Sequence, residues 1–122
     1  LTAIAPIASQ LTERTEIKSN AIPLSVFQVN GDQDLMIPID GGFKLGHSFL
    51  SGSYSAKKWA TKFNCNQNIA VEETDQTILH TYSDCIDNVV VKYLVVKRAG
   101  HNIARDYSSL WDAVWDFFSL LD

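Results

Sequence analysis

The run "NVVVKYLVVKRAGH", residues 88–101, constrains this chain more than any other stretch. It is nearly continuous in β-branched and apolar residues, with Lys92 as its only early interruption. A strand that does not alternate between apolar and polar residues is one covered on both faces, as in the centre of an α/β sheet. The remaining residues must supply those covers. At 122 residues the chain suits one domain, and with 46% hydrophobic residues it has the material for a core.

Reading outward from that strand, "IPLSVFQVN" (22–30) is rich in β-formers, follows a proline and ends at Gly31, which predicts a second strand. "AIAPIAS" (3–9) reads as a short buried strand, and residues 10–21 read as a polar loop. Gly31, Gly41, Gly42, Gly46 and Gly52 punctuate residues 31–54, predicting a long loop of the kind that carries function. "SAKKWATKFN" (55–64) places Ala56, Trp59, Ala60 and Phe63 at helical spacing, with Ser55 as its cap. "AVEET" and "TILHTY" flank Asp75-Gln76 as a hairpin. "SSLWDAVWDFFSLLD" predicts a closing helix capped by Ser108 or Ser109, its aromatic residues read as core. Strands alternating with helices predict an α/β fold with a mostly parallel sheet, flanking helices and a small hairpin.

Charge removes several classes. The net charge is −4, and the only basic cluster is Lys57, Lys58 and Lys62, so nucleic-acid binding is not expected. No apolar run approaches the roughly 20 residues of a membrane span. The chain begins at Leu1 rather than Met, with no charged and apolar leader, and is expected to be processed or cut from something longer. Cys65 and Cys85 lack the spacing of a metal or redox motif. They are either two buried thiols or a disulfide, and the second implies an oxidising compartment.

The candidate chemistry lies where strands end. Active groups of open α/β sheets sit on loops beyond the carboxyl ends of strands. Here one strand ends in "NGDQD" and another in "KRAGH". A carboxylate and an imidazole on two such loops are the supporting pair of a hydrolytic triad: the acid fixes the imidazole tautomer and stabilises the imidazolium. Taken alone, Asp34 is equally a turn residue. Asp32 reads as a turn residue too. A calcium loop through Asn30, Asp32 and Asp34 is disfavoured because Leu35 occupies the position where such a loop has glycine. His47 and His80 read as surface or structural residues.

"NGDQDLMIP" resembles the HG-x-x-D-x-x-V-P loop of α/β-hydrolases, with Asn30 in place of histidine. Asp34 matches the triad acid of that pattern, and Gly100-His101 before a final helix resembles the triad histidine loop. The succession of "DGG", "SAKKWATKFNC", "YSDC", a long strand into "GH" and a closing "WDFF" helix is similar to the secreted polyhydroxybutyrate depolymerase and feruloyl esterase-like group. That group has a similar W…N-C segment and a second cysteine before its last strand, which implies a Cys65–Cys85 bridge. The histidine loop "RAGHNIARD" lacks the glycine and Trp-Pro enrichment of the family.

The resemblance spans nearly the whole chain but only the C-terminal half of the family's domain, so residues 1–122 are expected to be the C-terminal part of a single hydrolase domain. The G-x-S-x-G nucleophile elbow precedes the acid in this family's order and is not in the chain. "GHSFL" around Ser48 starts like an elbow but lacks its second glycine and follows Asp34. The resemblance implies a secreted or periplasmic serine esterase acting on a short-chain ester, without a cofactor or metal. Asp34 and His101 would be its acid and base, and the chain alone would be inactive. The partners implied are the ester and the missing N-terminal half, with self-association through the edge left unpaired. The competing class is a non-catalytic binding or regulatory module that retains part of the scaffold.

Overall fold

The computed structural model describes residues 2–121; Leu1, and Asp122 at the end of the segment read as the last helix, lie outside them. A five-stranded sheet is built from β1 (Ala3–Ile4), β2 (Ser25–Gly31), β5 (Ala70–Glu73), β6 (Thr77–Tyr82) and β7 (Val91–Val96) in the order β1-β2-β7-β6-β5. A separate hairpin pairs β3 (Gly42–Lys44) with β4 (His47–Phe49). The helices are α1 (Gly52–Lys62), α2 (Ile103–Asp106) and α3 (Leu110–Ser119).

The sheet is mixed, not mostly parallel. β1–β2 and β2–β7 pair parallel, whereas β7–β6 and β6–β5 pair antiparallel. The reason is local: β5 and β6 are joined by a tight turn, which only an antiparallel pair allows. β7, the strand with the continuous apolar run, is central, as its sequence demands. Alternate side chains of β2 and β7 enter two cores. Val26, Val91, Tyr93 and Val95 meet Ala56, Ala60 and Phe63 of the α1 segment on one face. Phe27, Val29, Leu94 and Val96 meet Ile103, Leu110 and Phe117 on the other. The result is three layers: α1, sheet, and α2 with α3. Desolvation in the α1-side core raises the Tyr82 and Tyr93 phenol pKa values, the latter helped by the Asp40 carboxylate.

Several boundaries differ from the sequence reading. The first strand shrinks to Ala3–Ile4, continued by an isolated bridge from Ile7 to Val29. The long loop contains the β3–β4 hairpin. α1 starts earlier than predicted, with the Ser51 hydroxyl accepting from the Tyr54 N–H as its cap. Ser55 has another task. Its buried hydroxyl donates to Gln28 Oε1 at 2.8 Å and accepts from the Leu11 N–H at 2.9 Å. The aromatic stripe of α3 divides: Leu110 and Phe117 are core, but Trp111 and Trp115 are 60% and 72% exposed. They lie on the side of the helix away from the sheet.

Cys65 and Cys85 form a disulfide within the α1-side core. Backbone bonds from Ile86 N to Phe63 O and from Asn66 N to Ser83 O tie the same two segments. Closing a 20-residue separation stabilises the fold by about 3 kcal/mol on the loop-entropy account.

Four of the buried polar side chains, Gln10, Gln28, Asn30 and Ser55, form one connected chain. Gln28 Nε2 donates to Asn30 Oδ1 and to the Gly52 carbonyl. Asn30 Nδ2 donates to Gln10 Oε1, and Gln10 Nε2 donates to the Pro38 and Leu50 carbonyls. No buried side-chain nitrogen or oxygen among the described residues lacks a partner. Ser55→Ala removes one hydroxyl and strands both the Leu11 N–H and Gln28 Oε1. It should therefore lower unfolding stability by about 1–3 kcal/mol in a denaturant titration, well above an exposed Ser53→Ala control.

Candidate active site

The site forms where β2 and β7 end side by side. Their parallel register runs to Gly31 opposite Val96, so the two following loops leave the sheet as neighbours. The backbones then lace together. Asp32 N–H donates to the Val96 carbonyl at 3.2 Å and Gln33 N–H to the Ala99 carbonyl at 2.9 Å. Asp32 Oδ1 accepts from the Arg98 N–H at 2.7 Å. Gly31 makes this approach feasible. A Cβ there would lie 2.4 Å from the Ala99 oxygen and 2.8 Å from the Gly100 oxygen, both fixed backbone atoms.

That lacing brings Asp34 and His101 together. Asp34 Oδ2 lies 2.9 Å from His101 Nδ1. Its other oxygen, Oδ1, accepts from the Met36 and Ile37 N–H groups at 2.8 and 2.9 Å. The carboxylate side chain is 1% exposed and the imidazole 39% exposed. A carboxylate held in this way presents only an acceptor to Nδ1, so Nδ1 carries the ring proton and Nε2 keeps its lone pair. The pair can hold an imidazole in one tautomer and balance a positive charge on it, which is the supporting chemistry of a general base.

The His101 loop has its own brace. Asp106, at the end of α2, accepts from the Gly100 N–H through Oδ2 at 3.0 Å and from Arg105 Nε through Oδ1 at 3.2 Å. The Gly100 bond, with help from Arg105, holds the Asp106 carboxyl below its ordinary value. Asn102 caps α2 through Arg105 N–H, so the chain turns directly after His101.

The other candidates are placed elsewhere. His80 stacks on Tyr93 across the β6–β7 pair, with ring centroids 5.3 Å apart. His47 is an exposed residue of β4. Ser48 pairs opposite Phe43 in the β3–β4 hairpin, and no hydrogen bond joins it, or any serine among the described residues, to the His101 ring. Asn30, Asp32 and Asp34 do not converge: their side chains bond to Gln28 and Gln10, to Arg98 N–H, and to His101 respectively. The described residues contain no group of three or more His, Cys, Asp or Glu side chains that could hold a metal ion. Asp32 stands in the turn after β2, in keeping with its reading as a turn residue, and its hold on the Arg98 N–H, like that of Asp106 on the Gly100 N–H, has no sequence signature because the partner is a backbone group.

No family model matches the chain, and neither a curated protein nor a solved structure matches it.

The Asp106 brace yields a pH prediction with a definite sign. Its carboxyl is lowered in the folded loop, so the brace is complete above the ordinary value of 3.8 and is lost as pH falls through the lowered one. The Gly100 amide resonance should titrate with a midpoint below 3.8 in the native protein. In Asp106→Asn that step should vanish, while resonances of the β5–β6 hairpin stay in place.

Proposed function

We propose that this chain carries the acid and base of a serine-hydrolase triad, in the manner of the polyhydroxybutyrate depolymerase and feruloyl esterase-like α/β-hydrolases. The observation that carries the reading is the buried Asp34 carboxylate. It is fixed by two backbone N–H groups and aimed at His101 Nδ1, on the loops after two adjacent parallel strands. The position of both residues on strand-end loops and the resemblance of those loops to the hydrolase pattern motivate this pair, and a carboxylate against Nδ1 is the contact such a triad asks of its acid and base.

In this reading the nucleophile is a serine outside these residues, and the oxyanion hole is supplied with it. The serine attacks an ester carbonyl while His101 Nε2 takes the hydroxyl proton. The same imidazolium then protonates the departing alkoxide as the acyl-enzyme forms, and a water repeats the sequence to release the acid. Asp34 keeps Nε2 facing the reaction throughout. The substrate class is a short-chain ester, of hydroxyalkanoate or feruloyl type, and the chemistry draws on no cofactor. The Cys65–Cys85 disulfide fits a secreted or periplasmic protein. The complementary part of the domain would pair with the outer edge of β1. That short strand has β2 as its only partner among the described residues.

The test is hydrolysis of a short-chain aryl ester by the chain alone and after addition of the G-x-S-x-G-bearing segment from its parent reading frame. Turnover is expected only in the mixture. His101→Ala should abolish it. Asp34→Asn should lower it by about 10⁴-fold, because an amide keeps the turn but turns the imidazole to the wrong tautomer. A parent frame without the elbow, or turnover indifferent to His101→Ala, would transfer the chain to the non-catalytic module class.

A further inference from the structure

The α1 face turned away from the sheet carries a second feature, unrelated to Asp34 and His101. Tyr54, Lys57, Lys58, Thr61 and Lys62 fall at helical spacing on one side of α1 and, with Ile17 of the 11–21 strap, line a cleft of about 350 Å³. That volume is within the range of small-molecule sites. Lys58 Nζ donates to the Thr15 carbonyl at 2.9 Å, which ties the strap across the helix and fixes one ammonium at the cleft.

The charges here are unbalanced. Lys58 and Lys62 stand four residues apart on one helical face and repel each other. The first turn of α1 has no acid. Among the described residues none of the three lysines forms an ion pair, although the chain as a whole has a net charge of −4. The exposed acids of the strap, Glu13 and Glu16, do not line the cleft. Three lysines therefore line one concave surface, together with Tyr54, Thr61 and Ile17.

We infer that this cleft binds an organic phosphate or sulfate monoester, with the oxyanion among Lys57, Lys58 and Lys62 and a small apolar body against Tyr54 and Ile17. Lysines favour such a group over a lone carboxylate: they are mobile point charges with three donors each, suited to a tetrahedral oxyanion, whereas a planar carboxylate is best met by the arginine fork. An exposed tyrosine beside them supplies a flat face for the organic part. The inference is independent of the ester-hydrolase reading.

Phenyl phosphate is the probe, added to the ¹⁵N-labelled full chain. Saturable shifts are expected at Tyr54, Lys57, Thr61 and Lys62, with weaker binding of inorganic phosphate and none of benzyl alcohol at matched concentrations. Added salt should weaken binding, since the lysines are partly open to solvent. Lys62→Gln should reduce affinity about twofold to fivefold, the range for one exposed charge pair, and Lys62→Arg should restore most of it. The mutated side chain lies outside both cores, so folding should survive, which unshifted resonances of β7 would verify. The inference is overturned by no saturable shift, by benzyl alcohol binding as well as phenyl phosphate, by inorganic phosphate binding equally well, or by Lys62→Gln without effect.

Discussion

The parallel pairing of β2 with β7 is the constraint from which the site follows. Six residue pairs in register, from Val26–Val91 to Gly31–Val96, end both strands at the same level. Two loops released side by side still need a reason to stay together. Gly31 supplies it by omission: without a Cβ, the Ala99–Gly100 backbone can lie directly against it. Asp32 and Gln33 then hydrogen-bond across the gap, and Asp34 and His101 come into contact as a consequence. The site is thus a property of backbone geometry before it is one of side-chain chemistry.

Behind the site, the polar chain through Gln10, Asn30, Gln28 and Ser55 explains why the Asp34 loop keeps one shape. Gln10 holds the Pro38 carbonyl, four residues past Asp34, and Asn30 holds Gln10 from the strand that precedes Asp34. The loop is therefore anchored at both ends to buried, mutually satisfied groups. Such networks are costly to leave half-made and so select one arrangement over others. Asn30, where the hydrolase pattern has histidine, is fully committed to this network.

The sequence made the central strand legible because β7 needs cover on both faces and its composition says so. Glycine followed by ionisable residues at two strand ends marked the two loops, but Asp32 is the residue next to Gly31, and only the resemblance to the hydrolase loop singled out Asp34. The sequence reading starts α1 at a Ser55 cap, whereas Ser51 caps the helix one turn earlier. Only the tertiary position of Gln28 and Leu11 recruits Ser55 into the core. The α3 aromatics misled for a related reason: periodicity shows which side chains share a face, not whether anything packs on that face. Trp111 and Trp115 share one, and it lies in the open. The antiparallel half of the sheet followed from the short β5–β6 turn, and the run of α/β-like elements around it obscured that cue.

The chemistry of the site depends on His101 being held by Asp34 in the tautomer with the proton on Nδ1. Long-range ¹H–¹⁵N spectra of the ring, recorded where the imidazole is neutral, read this directly. The structure predicts a protonated Nδ1 and an unprotonated Nε2 in the native chain, and loss of that preference in Asp34→Asn. A native ring protonated at Nε2, or one whose tautomer ignores the Asp34 substitution, would contradict the account.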